Sequence, residues 1–160
     1  MTLLERVQAK LGPQVRETHS FRGDDTVVVG PDALLELAEF LRDEAGLPVL
    51  SDLAGVDGLH LGWSERFQVV YHFFGYADRH LRRLRVKVSA GEGQGVPTLT
   101  GLFRSANWLE RECWDQFGIV FEGHPNLERI LNHEDFVGHP LRKDYPVDGR
   151  HTLGRASTLK

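Results

Sequence analysis

From Leu81 to Val88 the chain alternates Leu84, Val86 and Val88 with Arg83, Arg85 and Lys87, a two-residue period that fits a strand with one buried and one wet face. The run before it, Phe67 to Phe74, is also strand-like. The link Gly75-Tyr76-Ala77-Asp78-Arg79-His80 suits a hairpin and is far too short for a parallel crossover, so these strands are expected as antiparallel neighbours. Val49 to Val56 and a weaker Thr26 to Val29 bring the expected sheet to about four strands. Leu3, Leu4, Val7 and Leu11 predict a short helix stopped by Gly12-Pro13. Leu34, Leu37, Ala38 and Leu41 predict a second, opened by Gly30-Pro31 and ended near Gly46. The fold class that follows is α+β: a single domain over 1–146, an antiparallel sheet with helices packed on it, then a helix and an extended irregular C-terminal tail, flexible over 147–160.

At 160 residues, 41% hydrophobic and 26% charged, the chain is long enough for one well-buried core and carries no signature of disorder. No run approaches the roughly 20 apolar residues of a spanning helix, and the N-terminus lacks a secretory segment, so a cytoplasmic location is expected. The single Cys113 rules out an internal disulfide and a cluster held by this chain's thiolates alone. The net charge of −4 is uneven: residues 32–57 hold seven acids against Arg42, a balance of −6, while Arg79, Arg82, Arg83, Arg85 and Lys87 form a basic strip. The strip is read as a solvated strand face, since the chain as a whole is acidic and lacks the aromatic platform of a nucleic-acid module. Gly91 to Pro97 is read as a surface turn, because no helix starts close enough to form a phosphate cradle.

The third helix, Ser105 to about Phe117 with Ser105 as N-cap and Gly118 as stop, carries the most information. At 100° per residue Ala106, Leu109, Cys113 and Phe117 share a core-facing stripe. Trp108, Arg111 and Asp115 point nearly opposite, Trp114 sideways, and Glu110 sits at the stripe's edge. Tryptophan beside arginine and carboxylates on an outward face has the composition of a protein-docking hot spot. The competing reading packs Trp108 or Trp114 under the glycine loop or the tail. Arg142-Lys143-Asp144-Tyr145-Pro146 offers two further alternatives, a loop facing a partner or a charge pair from Arg142 or Lys143 to Glu110 or Glu112. His124, His133 and His139 are spaced by nine and six, which matches no zinc pattern, and His124-Pro125 and His139-Pro140 are read as turns.

Glu110-Arg111-Glu112-Cys113-Trp114-Asp115-Gln116-Phe117-Gly118-Ile119 resembles the ERE..D.FGI signature of the C subunit of NADH-quinone oxidoreductase, respiratory complex I. The resemblance continues through Phe121 to Leu127, Arg129-Ile130-Leu131 and Gly138 to Pro146, and more loosely upstream through Leu50 to Asp57 and Phe67 to Tyr71, about residues 30–146 in all. Gln116 departs from the aliphatic or aromatic residue expected there. After Pro146 many members run on for dozens of residues along their partner, whereas fourteen residues follow it here.

The resemblance implies a non-catalytic peripheral-arm subunit that docks to the quinone-site D subunit and to other peripheral-arm subunits and stabilises assembly. It implies no cofactor in this chain, with FMN, iron–sulfur clusters and quinone in other subunits, and a peripheral place on the cytoplasmic side of the bacterial membrane, reached only through the complex. The partner-facing residues expected are Trp108, Glu110, Arg111, Glu112, Asp115, His124, Arg129, His139, Arg142, Lys143, Asp144 and Tyr145, and Arg111→Glu, on a face read as exposed, is expected to leave the fold largely intact yet to weaken assembly. The alternatives are the equivalent subunit of a membrane-bound hydrogenase complex and, from a different class, a metal-dependent hydrolase using Asp115, Glu112 and His124.

Overall fold

A computed structural model describes residues 1–77 and 79–148; the tail expected at 147–160 lies outside the described residues from position 149 on. Helix α1 (Leu3–Leu11) opens with a capping box, in which Thr2 Oγ1 accepts from Glu5 N and Glu5 Oε2 accepts from Thr2 N. Strands β1 (Val15–Phe21) and β2 (Asp24–Val29) form a hairpin. A 3₁₀ turn at Pro31–Ala33 leads into α2 (Leu34–Asp43), then β3 (Val49–Asp57), β4 (Phe67–Ala77) and β5 (His80–Ala90) follow. A two-residue strand β6 (Val96–Pro97) precedes α3 (Ala106–Phe117) and pairs with β7 (Phe121–Glu122) after it.

The architecture is the expected single α+β domain, but the sheet has five strands in the order β1-β2-β5-β4-β3 and is mixed. β4 pairs antiparallel with β5, as the short link requires. β2 runs parallel to β5, with Val27 opposite Val86 and Val29 opposite Val88, because the chain passes through α2, β3 and β4 before returning beside β2. β1 escaped the sequence reading because it is a polar edge strand, exposed along most of its length, and so lacks the alternation by which strands are recognised.

Period two decides the rest. Val27, Val29, Leu84, Val86, Val88, Val69, Tyr71 and Phe73 project to one side of the sheet and join Val7, Leu11, Leu34, Leu37 and Leu41 of the helices in one core. The opposite face, with Gln68, Val70, His72, Arg85 and Lys87, stays half-exposed. At the third helix the predicted N-cap takes another part: Ser105 is already helical in φ and ψ, and its hydroxyl donates to Leu50 O at 2.8 Å, tying the helix start to β3. α3 then lies against β3 at Gly55, where a Cβ would come within 2.6 Å of the Phe117 ring and 3.0 Å of Cys113 Sγ. Gly118, at φ 75°, ends the helix as expected. Among the described residues no helix is long and apolar enough to cross a membrane.

Gly55→Ala is expected to push α3 from the sheet and to lower unfolding free energy by about 1–3 kcal/mol in urea titration. Gly101→Ala, which meets nothing within 4 Å, is the control that should leave the midpoint in place.

Candidate functional site

Helix α3 places its residues by rotation, and the chain beyond it decides which of them stay outside. Ala106 and Cys113 are buried and Leu109 and Phe117 pack against the core, as the stripe predicts. Glu110, expected at the stripe's edge, is wholly buried, accepting from Thr98 Oγ1 at 2.5 Å and from Leu99 N at 2.7 Å. Burial pushes its carboxyl up to about 7 against the pull of those two donors.

Asp115 overturns the outward reading: it is fully buried. Residues 123–148 cross the outer face of α3 with little regular structure, and this segment replaces the water that the helical wheel had assumed. Five hydrogen bonds converge on the Asp115 carboxylate, from Arg129 Nη1, the backbone N–H groups of Ile130, Leu131 and Asn132, and Asn132 Nδ2. Burial alone would push this carboxyl up, but the donors from Asn132, Arg129 and Leu131 hold it well below the usual carboxylate range.

Arg129 completes the clasp. Its guanidinium lies 5.6 Å from the centre of the Trp114 ring and 5.5 Å from that of Phe136, and donates to Phe136 O at 2.7 Å and Gly138 O at 3.0 Å. Arg111, expected to face a partner, donates to Glu128 O and Arg129 O while lying 5.0 Å over Trp108. Its guanidinium thus also serves the monomer, and Arg111→Glu would remove two donors to the covering segment, which the reading of Arg111 as a freely exposed charge did not include. His139 donates from Nδ1 to Asp115 O and fills the space that a Cβ on Gly118 would need. His124 donates from Nε2 to Asn107 O and accepts from Asn126 N at Nδ1, which uses both ring nitrogens in the turn. Tyr145 stacks on Phe136 at 6.1 Å.

A second buried carboxylate fastens the far end. Asp57, last residue of β3, takes both arms of Arg66, at 3.0 and 2.8 Å, and the backbone N–H of Lys143 at 2.9 Å. Arg66 also reaches Glu92 and Asp144, and Arg142 pairs with Glu92 and Asp144. The paired Arg66 lowers the Asp57 carboxyl, and Arg66 with Arg142 brings Asp144 down to about 2. The 142–144 block therefore turns inward, but not through the expected charge pair from Arg142 or Lys143 to Glu110 or Glu112: Arg142 meets Glu92 and Asp144, Asp144 meets Arg66, and Lys143 gives its backbone N–H to Asp57. Sequence reasoning missed Asp57, Arg66, Glu92 and Asn132, whose ion-pair and tail partners lie from 9 to 86 positions away with no shared period.

What remains outside is a band along α3 and its covering segment. Trp108 is 61% exposed, Glu112 is exposed one turn further on and makes no hydrogen bond or ion pair among the described residues, and Leu131, Val137 and Leu141 are each more than half exposed. Trp114, by contrast, packs under the C-terminal segment. A cleft of about 560 Å³ opens beside Trp108, lined by Thr98, Thr100, Gly101, Arg104 and Asn107. No three His, Cys, Asp or Glu groups come together as metal ligands among the described residues. The hydrolase reading also needs a ligating Asp115, and that carboxylate is surrounded by donors.

Asp115→Asn is expected to lose about 3 kcal/mol and to release residues 126–145 while the sheet persists, seen as new cleavage sites there in limited proteolysis. A carboxyl depressed in the folded state contributes stability above its ordinary value of 3.8 that is lost as pH falls through the lower folded value. Acid should therefore free the same segment in the wild type, and Asp115→Asn should flatten that dependence.

Residues 27–151 match the family described as respiratory-chain NADH dehydrogenase, 30 Kd subunit. The C subunit of NADH-quinone oxidoreductase from Roseiflexus sp. (strain RS-1) is 48% identical over 149 residues, which cover 91% of this chain and 83% of that one. The C/D subunit of NADH-quinone oxidoreductase from Bdellovibrio bacteriovorus is 45% identical over 133 residues, 83% of this chain and 23% of that one. A chain of the membrane-bound sulfane sulfur reductase, an archaeal respiratory membrane complex, has the same fold, with a TM-score of 0.73 over 91% of this chain and 84% of that chain at 22% identity. The family match spans 125 of the 160 residues and the relatives cover more than four fifths of the chain, so the chain belongs to the respiratory-chain NADH dehydrogenase 30 Kd subunit family, that of the NADH-quinone oxidoreductase C subunits.

Proposed function

We propose that this chain is a docking subunit of the peripheral arm of NADH-quinone oxidoreductase and carries no reaction of its own. It binds the D subunit and steadies the electron-transfer arm from the cytoplasmic side, meeting the membrane only through the complex. FMN, iron–sulfur clusters and quinone belong to other subunits. The observation that carries this reading is Trp108: a large indole left 61% exposed yet held in place by the Arg111 guanidinium, one helical turn from Glu112, which is exposed and unpaired among the described residues. A braced aromatic loses little freedom when covered, and aromatic residues near charge are over-represented among the residues that dominate binding energy.

The C/D chain of Bdellovibrio supports the choice of partner, since a relative of this chain is there part of one polypeptide with a D portion. Covalent joining fits two modules that act side by side. The curated relatives are NADH-quinone oxidoreductase subunits, which favours that complex over a hydrogenase-type assembly. Within this reading Glu110, Asp115, Arg129, His124, His139, Arg142, Lys143, Asp144 and Tyr145 shape the surface from inside or at its margin, and Trp108 and Glu112 meet the partner.

Tagged chain recovered from native membranes should bring the D subunit with it. Trp108→Ala should reduce that recovery at least about tenfold, the scale of a hot-spot truncation of 1.4 kcal/mol or more, and Glu112→Lys should reduce it several-fold, both with unchanged far-UV circular dichroism and urea midpoint. Wild-type chain that recovers no respiratory subunit, or variants that recover as much as the wild type, would overturn the proposal.

A further inference from the structure

Glu110 stands apart from the other carboxylates of this chain. Asp57 and Asp115 are buried against arginines, whereas Glu110 is equally buried and meets no cation. Among the described residues its acceptor capacity meets only the Thr98 hydroxyl and the Leu99 N–H. The titratable groups facing it are the Tyr71 phenol of β4 and the Cys113 thiol on its own helix, both pushed up by burial and so neutral at ordinary pH. Tyr71 Oη is itself buried without a hydrogen-bond partner, so this interior already holds one unsatisfied polar group. The 98–103 loop contributes hydroxyls, backbone groups and apolar side chains, and Arg104 at its end opens on the cleft.

The geometry also gives Glu110 a route to solvent. Thr98 Oγ1, in contact with the carboxyl, lies 2.9 Å from Thr100 Oγ1 and accepts from Thr100 N at 3.2 Å, and both threonines line the cleft beside Trp108. A neutral carboxyl can donate to Thr98, which then donates to Thr100, so that the carboxyl proton and the Thr98 hydroxyl proton both have acceptors and the Thr100 hydroxyl is left to face the cleft. An ionised carboxyl keeps its two donors but leaves an uncompensated charge in an apolar interior, and the relief available is to open the loop and admit water.

We propose that Glu110 is a buried proton-binding site reached through the Thr98–Thr100 hydroxyl pair, and that loss of its proton loosens the 98–103 loop that walls the Trp108 cleft. This goes beyond the docking reading and does not depend on it. By linkage, any group seated in the cleft against the closed loop binds the protonated form more tightly. The sign is set by burial: a carboxyl that holds its proton more tightly in the closed state than in the open one favours closure less as pH rises through the interval between the two values, and no further above it.

The test is amide hydrogen exchange of residues 98–103 in the full chain from pH 5 to 8, corrected for the intrinsic rate. Wild-type protection should fall about tenfold per pH unit and level off near pH 7. Glu110→Gln should abolish the slope. Thr98→Val, which removes the side-chain donor to the carboxyl, should keep the slope and move the plateau to higher pH. A flat wild-type profile, a slope that survives in Glu110→Gln, or an unmoved plateau in Thr98→Val would each overturn the proposal, and the last reads out even if Glu110→Gln does not fold.

Discussion

A carboxylate taken out of water must recover its hydration from the protein, and in this chain Asp115 recovers it from the chain that follows it. Three consecutive backbone N–H groups, an asparagine amide and a guanidinium converge on its two oxygens. The segment that supplies them has almost no regular structure, and so lacks the internal hydrogen bonds that position a helix or strand. Its path is dictated instead by what Asp115 and, further on, Asp57 require. The arginines act in the same way: Arg111 and Arg129 direct their donors to carbonyls of this segment, so each fixes backbone as well as charge.

That dependence explains where sequence reasoning reached and where it stopped. The strands β3, β4 and β5 and the three helices were legible because alternation and the 3.6-residue period are local consequences of burial. The helical wheel also gave the direction of Asp115 correctly. It failed on exposure, since the layer that buries Asp115 is an aperiodic stretch 14 to 24 positions later whose contacts leave no repeating mark. Asp57 and Lys143 are 86 positions apart, and nothing in either neighbourhood announces the other. The parallel pairing of β2 with β5 was hidden for the same reason, because chain proximity suggests hairpins and says nothing of a strand that returns late.

The exposed face of α3 and its covering segment is consequently a made object. Trp108 stands outward because Arg111 is engaged beneath it, and Leu131, Val137 and Leu141 are displayed because the backbone between them is anchored from inside. The geometry shows how the acidic and basic residues of the signature divide the labour: Glu110, Arg111 and Asp115 organise the interior and the covering segment, while Glu112 is left to the solvent side.

The strand order has a consequence for how the polypeptide is made. β5 lies between β2 and β4, so the hairpin of β1 and β2, finished by residue 29, has no neighbour on its inner edge until residues 85–88 arrive. A ribosome releasing the chain from its N-terminus therefore exposes an open, valine-rich strand edge through most of the domain's synthesis, a stretch in which holding chaperones protect against edge-to-edge association and in which a slowed or halted translation does the most harm.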